Sequence, residues 1–417
     1  MSSKIHLTPN PHYHKSGPKS YVHLLRKYRF TTTKPGPYVF SSFIHQTGTQ
    51  YTRGPVGGRA RTQHRLRKRV PGSDQLVDLD ADDAQNEAAY LARVSIGTPE
   101  QRFNVAVDSA VGGLWVWSTN LSAETIAGHR AGTGAIFDGE KSSTFSGGEG
   151  VWRVEYGDGA SAGGIVGREK IVLGEMTIQK QEFGLADVLS AQFARGTADG
   201  VLGLGFGSLG PDGPRGLVEA MCRTGDVSSS VELFTVRLGS SGAEAEESFC
   251  TFGFVDEETV KIFGGEVYYT PIDDSQGFWM FDSGSAVVNG KTVAREGNKA
   301  IVDSGTMLTL VDDETCQRIY DAIPGAYYDE ESQGYLFPSD TAANELPVVS
   351  LAVGERQFVV RKEDLGFAEA KPGYAYGGIQ SRGSMKMDVL GGTFLMGLYA
   401  IFDVGNLRFG AVQHHLG

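Results

Sequence analysis

From about Asp80 onward, apolar and polar positions alternate in short runs broken by Gly-rich turns, the period-two signature of half-buried strands. AAYLARVSIGTPEQRFNVAVDSA, Ala88 to Ala110, predicts a strand, a turn at GTPE and a second strand ending at Asp108. EVYYTPIDDSQGFWMFDSGSAVVNGKTV, Glu266 to Val293, predicts further strands with turns at Asp273 to Gly277 and at Asn289-Gly290. Helical periodicity is sparse. VDDETCQRIYDAIPG is its clearest instance, with Asp312 or Asp313 as cap and Pro324-Gly325 as stop. Glycine fills 57 of 417 positions, about twice the usual ~7%, which reinforces a turn-rich, all-β reading. No apolar run approaches the ~18 residues of a membrane helix, so a soluble protein is expected.

The pattern repeats. VAVDSAVGGLWVWS (Val105–Ser118) sets Asp108 at the end of an apolar alternation, and AIVDSGTMLTLV (Ala300–Val311) does the same with Asp303, 195 positions later. About 90 residues beyond each aspartate comes an apolar strand with glycine, in ADGVLGLGFG and in MDVLGGTFL. Ionising a carboxylate inside apolar sequence is costly. Two lobes related by a pseudo-twofold axis, each giving one aspartate to a cleft between them, account for both copies. A single Asp-Ser-small triplet would be ordinary turn chemistry. GFGSLG (Gly205–Gly210) fits the dinucleotide-binding spacing, but PDGPRG follows where that motif needs a helix, so it reads as a turn after a buried strand.

Charge divides the chain. Residues 1–70 hold 14 Lys and Arg and no Asp or Glu, leaving 24 basic against 50 acidic residues in the remainder, a balance of −26. A basic arm suits nucleic acid or the acidic body behind it, and the size of the body's charge favours the second. RLRKR (Arg65–Arg69), followed by VPGSD, reads as an exposed polybasic linker open to proteases that cut after paired basic residues. No apolar signal-peptide core is visible after Met1. Cys222, Cys250 and Cys316 are widely spaced and have no CxxC element, so reduced, buried thiols are expected, with neither metal nor cofactor.

These motifs, in this order, resemble the pepsin-like aspartic endopeptidases, with the polyporopepsin type of basidiomycetes the nearest likeness, from about Val77 to Val412. VSIGTPEQRFNV is similar to the strand before the family's first catalytic loop, LWVWS with Trp115 to its LWV motif, and VEYGDGASAGGIVG to its flap. AIPGA and VLGGTFLMGLYAIFDVGNLRFGAV continue the match. The resemblance implies an all-β bilobal fold. Its parts would be a basic prosegment over 1–75, an N-terminal lobe over 76–255 and a C-terminal lobe over 256–417. It makes Asp108 and Asp303 the catalytic pair, in loops with Ser109, Ala110, Ser304, Gly305 and Thr306. Tyr156, Gly157, Asp158 and Gly159 would form a flap closing toward Trp115, and the small Ala106 and Ala198 would leave a roomy pocket near Val201.

Two carboxylates ~3 Å apart share one proton, and this family is the standard case. The ionised member would activate a water while the protonated one polarises the scissile carbonyl. Hydroxyls at Ser109 and Ser304 would hold the loops in register. The first loop departs from the family's DTGS: Ala110 is strained if its φ is positive, and Val111 lacks a hydroxyl that would favour the charged Asp108. The lobe's usual disulfide is replaced near Ser339 and Tyr376.

The expected function is peptide-bond hydrolysis by a monomeric zymogen that acts on proteins or peptides and binds pepstatin-type inhibitors, without nucleic acid or membrane. The alternative is a weakened homologue that binds peptides with little turnover. Secretion or a vacuolar location follows from resemblance alone, and Asn120 in NLS is a glycosylation candidate if the chain enters that route.

Overall fold

The computed structural model describes residues 2–44, 62–80, 82–83, 88–131, 134–155, 161–194, 196, 198–207, 214, 216–217, 232–239 and 247–414. In chain order the first elements are strand β1 (Ser3–Pro9), helix α1 (Gly17–Tyr28), β2 (Tyr38–Ile44), β3 (Thr62–Arg69), β4 (Leu76–Asp78) and β5 (Tyr90–Ile96). Next come β6 (Gln101–Trp117), α2 (Ala123–Ala131), β7 (Ser146–Glu155), β8 (Ser161–Leu173), β9 (Met176–Leu189) and β10 (Gly200–Gly205). β11 (Leu233–Arg237), β12 (Phe249–Phe252) and β13 (Tyr268–Pro271) follow, and later strands are given by range. The predicted all-β bilobal architecture is the one observed.

A twelve-stranded sheet runs β10-β6-β9-β8-β5-β1-β12-β11, then Leu398–Asp403, Arg408–Gln413 and β13, with β7 paired to β8. β1 is its bridge. Ser3 to His6 pair with β12 and Leu7 to Pro9 with β5, so one strand of the basic arm ties both sides of the molecule together. Its alternation dictates this seat, because Ser3, Ile5 and Leu7 are buried while His6 and Thr8 are exposed. α1 lays Tyr21, Val22, Leu24 and Leu25 into the core, and the Tyr21 hydroxyl donates to Ser381 O at 2.9 Å.

The internal repeat is visible in the strands around each aspartate. β10 lies between two halves of β6, Gly203 pairing with both Asp108 and Gly113. In the second copy Met387–Leu390 lies between Lys299–Val302 and Thr309–Val311. β6 does not end at Asp108 as predicted. It continues to Trp117, because the chain doubles back around β10 and finds a second row of partners there. The predicted helix is present as Asp313–Asp321, capped by Asp312, whose carboxylate accepts from Thr315 N and Oγ1. Asn289 and Gly290 both have positive φ, as a tight hairpin turn between Ser285–Val288 and Lys291–Ala294 requires.

RLRKR is not the exposed linker that its composition suggests. It lies in β3, the middle strand of a three-stranded sheet with β2 and β4, and Leu66 is buried. β2 carries Tyr38 and Phe40 onto the core, which gives this basic segment a surface to fold against. Cys250 and Cys316 are buried free thiols; Cys222 lies outside the described residues. Where the family's usual disulfide is replaced, Tyr376 is fully buried and its hydroxyl donates to Gln333 O at 3.2 Å.

Candidate active site

The two aspartate loops face each other. Asp108 Oδ1 accepts from Ala110 N at 2.8 Å, and Asp303 Oδ1 accepts from Gly305 N at 2.9 Å, the same two-residue turn in both copies. The predicted cross-loop hydroxyl bonds are present and reciprocal. Ser109 N donates to Ser304 Oγ at 3.0 Å and Ser304 N to Ser109 Oγ at 2.9 Å, while Ser109 Oγ donates to Val302 O at 3.0 Å. All four groups are buried, so this lattice fixes the approach of the lobes where water cannot compete. Gly305 permits that approach, since a Cβ there would fall 2.2 Å from Asp108 Cγ. Ala110 is not among the residues with positive φ, so its methyl adds no left-handed strain.

The arm fills the space between the carboxylates. α1 ends at Tyr28, with Arg29 in the left-handed region as its C-cap, and Arg26 and Lys27 in the last turn suit the helix dipole. Lys27 Nζ reaches Asp108 Oδ1 and Oδ2 at 3.0 and 2.8 Å and Asp303 Oδ1 and Oδ2 at 3.1 and 2.9 Å. The Tyr28 hydroxyl donates to Asp303 Oδ2 at 2.7 Å, and its ring lies 6.1 Å from that of Phe278. Arg29 donates to Glu155 O at the end of β7. Burial is the largest influence on Asp108 and pushes its carboxyl up to about 6, with Lys27 opposing the rise and Asp303 adding to it.

Trp115 is buried, stacked on Trp152 at 5.4 Å and edge-on to Phe193, with half-buried Val201 packed against this cluster and paired to Ala106. Tyr156, Gly157, Asp158 and Gly159 lie outside the described residues. Asn120 is exposed in the turn after β6. Among the described residues the buried Thr306 hydroxyl has no hydrogen-bond partner. Sequence reasoning missed Lys27 and Tyr28. Only the charge of the arm pointed toward the body, and nothing local distinguishes this lysine from its neighbours. It also missed His129, which stacks on Trp117 at 3.8 Å and meets Asp199 Oδ1 at 3.0 Å from Nε2. Among the described residues no His, Cys, Asp and Glu cluster is placed to hold a metal ion.

Opposed carboxylates in a hydroxyl-locked cleft between β lobes define the class of acid proteases. The profile described as eukaryotic aspartyl protease matches residues 89–414. Aspergillopepsin-1 of Aspergillus oryzae is 30% identical over 328 residues, 78% of each chain. Aspergillopepsin-1 of Aspergillus fumigatus is 32% identical over 331 residues and Penicillopepsin-1 of Penicillium rubens 31% over 330, again 78% of each chain. The chain belongs to this family and is a pepsin-like aspartic endopeptidase.

Proposed function

We propose that Asp108 and Asp303 are the catalytic dyad and that the chain is made as a zymogen whose own arm occupies the cleft. The observation that carries this reading is the single ammonium group of Lys27 against all four carboxylate oxygens. That contact occupies the position where a nucleophilic water must sit, and Tyr28 takes the lone pair that would polarise it. With the arm gone, one aspartate draws a proton from the water as the other donates to the scissile carbonyl oxygen. Attack and protonation then proceed without a covalent intermediate.

Residues 1–75 act as the inhibitory arm, with 76–255 and 256–417 as the lobes, and Tyr156 to Gly159 as the flap over substrate. Trp115 and Val201 border a pocket for a bulky apolar side chain. The enzyme works as a monomer on proteins and peptides and binds pepstatin-type inhibitors. Within the family, the polyporopepsin-type likeness rests on motifs such as VSIGTPEQRFNV.

The test compares full-length protein, protein beginning at Val70 and Asp303→Asn on denatured globin between pH 3 and 7. Cleavage by the truncated form at pH values where the full chain is silent, abolished in Asp303→Asn, is expected. Equal activity of the two lengths throughout would end the zymogen reading. Pepstatin binding without turnover would end the enzymatic one.

A further inference from the structure

We propose that the polybasic strand is a closed processing site for a basic-residue-specific endopeptidase, and that buried Asp83 is the bolt that holds it shut. The inference rests on the zymogen reading for its purpose, but its geometry is separate from the dyad. Such enzymes bind their substrate as an extended strand, through its backbone groups. Those groups are already taken in β3. Arg67 lies between Val39 and Asp78, and Lys68 between Tyr38 and Val77. Arg69 N donates to Pro37 O at 2.7 Å and Arg69 pairs with Leu76. Even the nitrogen of the Arg69–Val70 bond is engaged, since Val70 N donates to Gln75 O at 2.9 Å.

The side chains close the strand a second time. Asp78 pairs with Arg65 and Arg67, both at 3.3 Å, and Asp74 meets Arg69 at 3.7 Å. These contacts are exposed and each contributes little. Asp83 differs because it is buried. It accepts from Lys68 Nζ, from the Tyr38 hydroxyl at 3.0 Å and from Asp80 N at 2.8 Å. It thereby joins the middle strand, β2 and the chain after β4 at one point. Removing a charge from such a buried cluster leaves partners unsatisfied, so loss of Asp83 frees Lys68 and Tyr38 together.

Opening the sheet gives a protease an extended RLRKR with four basic side chains before the bond. Hydrolysis breaks Arg69 C–Val70 N, with water supplying hydroxyl to the Arg69 carbonyl carbon and hydrogen to the Val70 nitrogen. The new amine, on Val70, then heads the fragment that carries both lobes.

The experiment uses full-length protein with trypsin as the basic-specific probe, and follows the fragment beginning at Val70 by mass spectrometry. Wild type should release it at least 100-fold more slowly than a peptide of residues 62–75, and Asp83→Asn about tenfold faster than wild type. Tyr38→Phe, a milder change, should fall between them and serves if Asp83→Asn does not fold. Cleavage of the folded chain as fast as the peptide overturns the closed site. Equal rates for wild type and both variants overturn Asp83 as the bolt. Pepstatin binding before and after the cut is measured separately, so failure of the zymogen reading shows there and not in the cutting rate.

Discussion

Lys27 sets one positive charge against both carboxylates and opposes the rise that burial imposes on Asp108. Replacing it with methionine should open the dyad without cutting the chain. Uncut Lys27→Met is expected to bind pepstatin at pH 6 at least tenfold more tightly than uncut wild type, measured by calorimetry. Val111 stands where the resemblance puts a hydroxyl donor to Asp108. Val111→Ser restores a donor that favours ionised Asp108, so its proton should leave at lower pH. The acid limb of the activity profile of cut protein should move down by roughly one pH unit, equivalent to about 1.4 kcal/mol. Gly305→Ala sets a methyl 2.2 Å from Asp108 Cγ. The loops must part to admit it, and activity should fall by at least 100-fold as the protein melts several degrees lower in a thermal scan.

At the scale of elements, the arm attaches by a strand, a helix and a small sheet, each with its own sensitivity. β1 is pinned by Lys4, whose ammonium meets Asp256 at 3.1 Å and Glu247 at 3.3 Å. Burial opposes ionisation of Asp256, yet the bonds from Lys4 and from the Thr259 and Glu258 amides outweigh it and lower its pKa. A depressed carboxylate holds its full contribution above the unfolded value near 3.8 and loses it as pH falls through the folded one. Lys4→Met should therefore speed release of the cut arm at pH 5 and change little at pH 2, read by stopped-flow pepstatin binding. The helix Asp313–Asp321 was legible because cap, apolar spacing and stop are all local. α1 was not, because Ser16 makes no side-chain cap bond and the helix is held by what it packs on. RLRKR was misread for a similar reason. Its charges suggested a linker, while the partners that make it a strand lie on β2 and beyond it near Asp78 and Asp83.

Across the whole molecule, the duplicated Asp-Ser-small loops were legible because the repeat writes the same apolar alternation twice. The doubling of β6 around β10 was hidden by distance, Asp108 and Gly203 being neighbours only in the folded sheet. The seat of Lys27 was hidden more deeply, 81 and 276 positions from its two partners with no periodicity linking them. The breadth of the arm's contacts predicts that cutting alone does not separate it. After cleavage at Arg69 the two pieces should elute together on gel filtration at pH 7 and apart at pH 3. β1 carries a last consequence. The chain folds with this strand completing the sheet between β5 and β12, and on the zymogen reading the free enzyme would lack it. Activation, on that reading, would work as a ratchet: a heated zymogen would find its native sheet again on cooling, whereas the enzyme it releases would have left behind part of the template it folded on.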